Sequence, residues 1–132
     1  WGHLASHHDP REPHPDMSRP LKKIVAAYRR HTLGHTAASF DGDTPGVDRH
    51  HRRIVEALLA LRDHGADGER ALLDLLEDDE TAVRGWAATH ALEFDESLAI
   101  QILEEVANDP RLVGIEAQAV LEEWRARRID VS

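Results

Sequence analysis

The stretch TAVRGWAATHALEF, residues 81–94, decides the fold because its apolar pattern recurs 29 residues later. Both segments place apolar or small residues three or four positions apart, which is typical of a helix with one buried face. The two segments are therefore two copies of one helix. The matched positions are Val83 with Leu112, Gly85 with Gly114, Trp86 with Ile115, Ala88 with Ala117, and Leu92 with Leu121.

The helices that precede these two copies also match, at a spacing of 30 residues. The one-residue difference between the two spacings falls in a loop, where a change of length is tolerated. A helix pair repeated in tandem cannot bury its apolar face alone, so neighbouring pairs stack into a solenoid with one continuous core. We expect an all-α fold, a short HEAT-like solenoid of about three helix pairs. The matched positions are Leu72 with Ile102, Leu73 with Leu103, and Leu76 with Val106.

Turn residues divide the chain into an arm and six helices. Residues 1–20 contain four of the six prolines and show no apolar period, which predicts an irregular N-terminal arm before a repeat domain over residues 21–132. DGDTPG predicts a break after the first helix, and Gly65 favours a left-handed helix stop after the second. We also expect Asp79 or Thr81 to cap the fourth helix. The predicted helices cover residues 21–40, 47–64, a short segment around Leu72, 81–94, 96–108 and 111–128.

Charge is distributed unevenly and argues against several classes of partner. Residues 1–64 carry 10 Lys and Arg against 8 Asp and Glu, whereas residues 65–132 carry 6 against 17, within a net charge of −9. The acidic half repels nucleic acid, which disfavours a HEAT-like enzyme acting on DNA bases, and it attracts basic surfaces. No run approaches the roughly 18 apolar residues of a membrane helix. The absence of cysteine suits a reducing cytoplasm, the location we expect.

No complete catalytic or metal motif accompanies the repeat. His31 and His35 have the i, i+4 spacing of two zinc ligands, but the glutamate of a zinc-protease motif is missing. His90 fits a packed or hydrogen-bonded position, and Trp86 and Trp124 fit packing anchors better than partner contacts. We therefore expect no catalytic residue, no metal and no cofactor.

Two segments together resemble a known family. AVRGWAATHAL, followed by an Ala-, Leu- and Glu-rich helix and then GIEAQAVLEEW, is similar to the bacterial HEAT-like repeat domains of the DUF2019 family. The resemblance covers residues 21–128 and includes DRHHRRI at the second helix, whereas the proline-rich arm and DTPG depart from it. It implies an all-helical binding protein, and some such proteins look like immunity proteins that neutralise polymorphic toxins.

The resemblance and the charge lead to one functional expectation. We expect a non-catalytic protein-binding module, an immunity protein that occludes a cognate toxin with a basic surface. The alternative is a general protein-interaction adaptor of the same fold. Most of the acidic residues also fit a solvated exterior. The partner-binding candidates are Glu77, Asp78, Asp79, Glu80, Arg84, Glu116, Glu122 and Glu123.

Overall fold

The computed structural model describes the backbone of residues 17–131 and the side chains of residues 17–127. This part of the chain contains helices and no strand, which confirms the all-α prediction. None of these helices combines the length and the apolar character that crossing a bilayer requires. The elements are α1 (Arg19–Asp41), α2 (Thr44–Asp63), α3 (Gly65–Asp74), a 3-10 turn (Leu75–Glu77), α4 (Thr81–Ala91), α5 (Glu96–Ala107) and α6 (Leu112–Val131).

The helices pack in chain order around α4. Helices α1 and α2 form a hairpin, the 3-10 turn after α3 packs on α4, and α5 lies against both α4 and α6. Helix α4 also contacts α1 and α6 and so has neighbours on several sides. Its small residues Ala87, Ala88 and Ala91 are fully buried, which allows these neighbours to approach closely. The largest fully buried apolar side chains of the core are Tyr28, Ile54, Leu61, Leu72, Leu76, Val83 and Leu103.

The first helix begins earlier than the sequence pattern indicates. The Ser18 hydroxyl accepts a hydrogen bond from the Leu21 amide at 3.3 Å and so caps α1. Pro20 lies in the first turn, where its missing amide hydrogen is not needed. Helix α1 therefore begins at Arg19, two residues before the predicted start at residue 21. The remainder of the predicted arm, residues 1–16, lies outside the described residues.

The break between the first two helices is shorter than DGDTPG predicts. Gly42 ends α1 in the left-handed conformation with φ 71°, and the Asp43 carboxylate accepts from the Gly46 amide at 3.0 Å. This cap starts α2 at Thr44, so the predicted start at Val47 was wrong. Gly65 has φ 57°, which confirms its left-handed conformation, and α3 follows directly.

Helix α4 is capped differently from the prediction. Glu80 occupies the cap position, and its side chain accepts no capping hydrogen bond. Instead, the Asp78 carboxylate accepts from the Glu80 amide at 2.9 Å, so the proposed caps Asp79 and Thr81 were wrong. The helix ends at Ala91, and residues 92–94 form a turn rather than continuing the helix.

The two copies of the repeat differ in burial on one side. Leu92 and Leu121 are buried in both copies, whereas Trp86 is half-buried and its counterpart Ile115 is 60% exposed. Leu112, the counterpart of buried Val83, is 36% exposed. The difference arises because no described helix covers that side of α6, whereas α4 has neighbours on both sides.

Candidate functional site

Helix α4 leaves one narrow face uncovered by its neighbours. Ala82, Gly85, Trp86 and Thr89 lie at positions i, i+3, i+4 and i+7, so they form a single stripe along the helix. Three of these four side chains are small or absent, so they leave a hollow above α4 that neighbouring side chains do not fill. The stripe is the floor of a groove.

Two helices form the walls of this groove. His35 and Thr36 contribute from α1, and four residues of α6 face them across the floor. The central hollow has a volume of about 230 Å³, and its walls are mainly apolar. The wall residues of α6 repeat the i, i+3, i+4, i+7 spacing and are Val113, Glu116, Ala117 and Val120.

The hollow continues at both ends of α4. Toward the start of α4, Thr36, Ala82 and Val113 are shared with a second hollow of about 490 Å³. Toward the end of α4, Thr89 and Val120 are shared with a third, of about 280 Å³. The three hollows therefore adjoin one another along α4, and we call this row of hollows the α4 groove. Its length follows that of α4, 11 residues.

The first end of the groove is apolar and open. Phe40, the last residue but one of α1, is 84% exposed and lines it together with Leu112 of α6. A large aromatic side chain with this exposure contributes little to the core, whereas aromatic residues are enriched among binding hot spots. Asp41 and Glu80 lie beside these apolar residues. Arg111, on the same rim, is tied to Asp109 by an ion pair at 2.6 Å.

The opposite end carries charges in pairs. Arg62 of α2 lies 3.1 Å from Glu93, and Arg127 lies 3.5 Å from Glu123. These partners are substantially exposed, so each pair contributes little to stability. Their effect is to balance charge at this end of the groove. The Trp124 indole also lines this hollow and donates to the Glu96 carboxylate at 3.2 Å.

Burial changes the titration of two groups in the groove centre. The pKa of the Glu116 carboxyl is raised because its surroundings are partly desolvated. The pKa of His35 is lowered, first by burial and then by repulsion from His51 and His50. At neutral pH the groove centre therefore combines a neutral imidazole with a carboxylate in apolar surroundings.

The structure brings three of the eight predicted partner-binding residues to the α4 groove. These are Glu80 at its first end, Glu116 at its centre and Glu123 at its opposite end. Glu77 and Asp79 are exposed on the turn before α4, and Glu122 is exposed on α6, but these three line none of the hollows.

The remaining two candidates, Asp78 and Arg84, make contacts that stabilise the turn before α4. The side chain of Asp78 is only 12% exposed and forms an ion pair with Arg29 of α1 at 2.9 Å. Arg84 donates to the Asp78 carbonyl at 2.6 Å and to the Thr81 hydroxyl at 3.1 Å. Both side chains are therefore positioned by contacts within the protein.

Histidines and aromatic residues form a cluster between α1, α2 and α4. His90 Nδ1 is hydrogen-bonded to the buried Tyr28 hydroxyl at 2.7 Å, which confirms the expected packed histidine. Trp86 lies beside His90 and against His35, with ring centroids 5.8 Å and 4.8 Å apart. Trp86 is thus both a packing residue and the one large side chain of the groove floor.

The predicted histidine pair of α1 is divided between two partners. His31 Nδ1 lies 3.0 Å from Nδ1 of His50, whereas His35 faces His51 and Trp86. One nitrogen of the His31–His50 pair must donate, so the other must be unprotonated. No group of three potential ligands in the described part of the chain is arranged to hold a metal ion.

Sequence reasoning missed the contributions of Phe40, His35 and Thr89 to the groove. Phe40 was interpreted as the end of a helix, and His35 was weighed only as a metal ligand. The available signal was the stripe of small residues Ala82 and Gly85 beside Trp86, which leaves a gap that neighbouring helices do not fill.

Comparison of the chain with models of known protein families, with curated proteins and with solved structures found no match. The resemblance to bacterial HEAT-like repeat domains therefore stays a prediction.

Proposed function

We propose that this chain is a protein-binding module that holds a segment of a partner protein in the α4 groove. The observation that carries the proposal is the groove itself, a row of adjoining hollows with a mainly apolar centre and the exposed Phe40 at one end. Grooves between helices that combine apolar surface with a few polar groups are a recurrent mode of peptide recognition.

The partner we propose is a cognate toxin, which the chain would occlude as an immunity protein. Two features support this choice: the sequence resemblance, and the excess of acidic residues in the half of the chain that supplies α4 and α6. Acidic surfaces accelerate association with basic partners, and toxins that act on nucleic acid need basic clefts to hold phosphate groups.

Photocrosslinking tests groove binding directly. We would replace Phe40 by the photoreactive residue p-benzoylphenylalanine, which preserves the aromatic ring at an exposed position, and irradiate living cells of the source organism. The matched control carries the same residue at Leu59, which is 51% exposed on α2 and lines none of the hollows. We expect one protein to be crosslinked at position 40 and not at position 59. Equal crosslinking at both positions, or none at position 40, would contradict groove binding.

Expression of the captured partner tests the toxin assignment separately. If the partner is a toxin, its expression alone should arrest growth, and co-expression of this chain should restore growth. The Gly85→Leu variant, which fills the groove floor, should fail to restore it, while the Gly85→Ala variant should succeed. A captured partner that is harmless when expressed alone would favour the adaptor function instead.

A further inference from the structure

The α4 groove contains a carboxylate that no side chain within the described residues neutralises. Glu116 lies on α6 beside Val113, Ala117 and Val120, and burial raises the pKa of its carboxyl. Within residues 17–127, its side chain forms neither a hydrogen bond nor an ion pair. Partial burial of a carboxylate without a partner is unfavourable, and a cation supplied from outside would offset this cost.

The neighbouring end of the groove has the same character. Phe40 and Leu112 expose apolar surface there, and Asp41 lies beside them with no ion pair to any described residue. Arg111, the basic residue of this end, already pairs with Asp109. The groove from its centre to this end therefore presents apolar surface together with uncompensated negative charge.

We propose that the α4 groove recognises a basic amphipathic segment of the partner, with an apolar side chain against Phe40 and Trp86 and a lysine or arginine at Glu116. This inference rests on the proposed function, since it names the chemistry of the segment that the same groove would hold. An acidic segment would bring like charges together at Glu116 and Asp41, and a purely apolar one would bury the Glu116 carboxylate further without compensation.

The probe is a display library of random 12-residue peptides, selected on the full chain and counter-selected on the Gly85→Leu variant. Peptides that bind the chain but not the variant occupy the groove. We expect these peptides to be enriched in lysine and arginine over aspartate and glutamate, with at least one large apolar residue. Groove-dependent peptides without this enrichment, or a selection that yields no groove-dependent peptide, would overturn the proposal.

Calorimetry with one synthetic selected peptide then assigns the cation to Glu116. Glu116→Gln should weaken binding by about tenfold or more, because a hydrogen bond between charged groups is lost. The matched control is Glu122→Gln on the same helix, an exposed position outside the groove, which should change affinity less than twofold. Both variants should keep the wild-type helicity, and Glu116→Gln should melt no lower than wild type, because it removes an unpartnered carboxylate from the groove.

The pH dependence of binding provides a readout that a structural role would not produce. Protonation of Glu116 removes its charge, so affinity for the peptide should fall as pH decreases through the raised pKa of this carboxyl. Glu116→Gln should lack this component. Equal affinity and equal pH dependence in wild type and Glu116→Gln would refute the role of Glu116.

Failure of this inference is distinguishable from failure of the proposed function. If the partner crosslinked at position 40 is still captured by the Glu116→Gln chain with unchanged affinity, groove binding stands and the cation at Glu116 is wrong. If no partner is captured at position 40 even by the wild-type groove, the proposed function fails.

Discussion

Acidification from pH 7 to pH 4.5 should lower the free energy of unfolding through His90. Its imidazole packs between Tyr28 and Trp86, and burial, with smaller contributions from Arg62 and His51, lowers its pKa from 6.5 to about 4. In the unfolded chain the same group returns to its ordinary pKa. The unfolded state therefore binds the proton more tightly than the folded state does. The free energy of unfolding decreases as the pH is lowered through the window between the two pKa values.

The size of this effect follows from the two pKa values. A difference of this magnitude corresponds to roughly 3 kcal/mol when integrated over the whole window, and to about 2 kcal/mol between pH 7 and pH 4.5. His31 and His35 also have lowered pKa values and act in the same direction. Glu116 has a raised pKa, so its protonation on acidification acts in the opposite direction.

A variant isolates the contribution of His90 from these other groups. We would measure chemical unfolding at pH 7, 6, 5 and 4.5 for wild type, for His90→Gln and for the control His64→Gln, whose side chain lies outside the cluster. The His90→Gln variant should lose about 2 kcal/mol less on acidification than wild type does. The control should follow wild type. Parallel loss of stability in wild type and His90→Gln would show that burial does not displace the His90 titration.

Three further predictions concern the groove and the packing of α1 against α2. Gly85→Ala should raise stability by about 0.5–1 kcal/mol in thermal unfolding, because a Cβ there meets only Val106 Cγ1 at 3.5 Å and alanine favours the helix; a lower melting temperature would contradict this. Phe40→Ser should change stability by less than about 0.5 kcal/mol and yet weaken partner binding by about tenfold or more, and unchanged affinity would remove Phe40 from the site. Gly34→Ala should stabilise the His50→Ala variant more than it stabilises wild type in a double-mutant cycle, because a Cβ at position 34 would overlap the His50 ring; equal effects would show that the ring moves aside freely.

The repeated helix pattern was sufficient to predict the helices and their order. Matching positions such as Leu92 and Leu121 are buried in both copies, because apolar period and burial depend on the same helical geometry. The helix ends were less predictable. The Asp43 carboxylate caps α2, whereas α4 begins at Thr81 with no capping side chain, so the spacing of apolar residues fixes neither helix start.

The α4 groove could not be predicted from the repeat alignment. The alignment matches Gly85 with Gly114, but Gly85 lines the groove and Gly114 does not, and α6 contributes Glu116 and its neighbours instead. Which residues of α6 line the groove depends on how the helices pack, which the spacing of apolar residues does not specify. The sequence therefore predicted the partner-binding candidates only as one group. The structure was needed to separate the candidates that line the α4 groove from those that lie on the turn before α4.

The contact between Tyr28 and His90 has a consequence for the order of folding during synthesis. The α1–α2 hairpin and most other helix contacts join segments that are adjacent in the chain, and such local contacts form rapidly. The Tyr28 hydroxyl, by contrast, awaits an acceptor 62 residues downstream. At typical rates of translation, that interval corresponds to about 3–12 s. Because the first hairpin is complete only when α2 has been made to Asp63, a nascent chain holds this hairpin without the His90 acceptor for about 1–5 s of that interval.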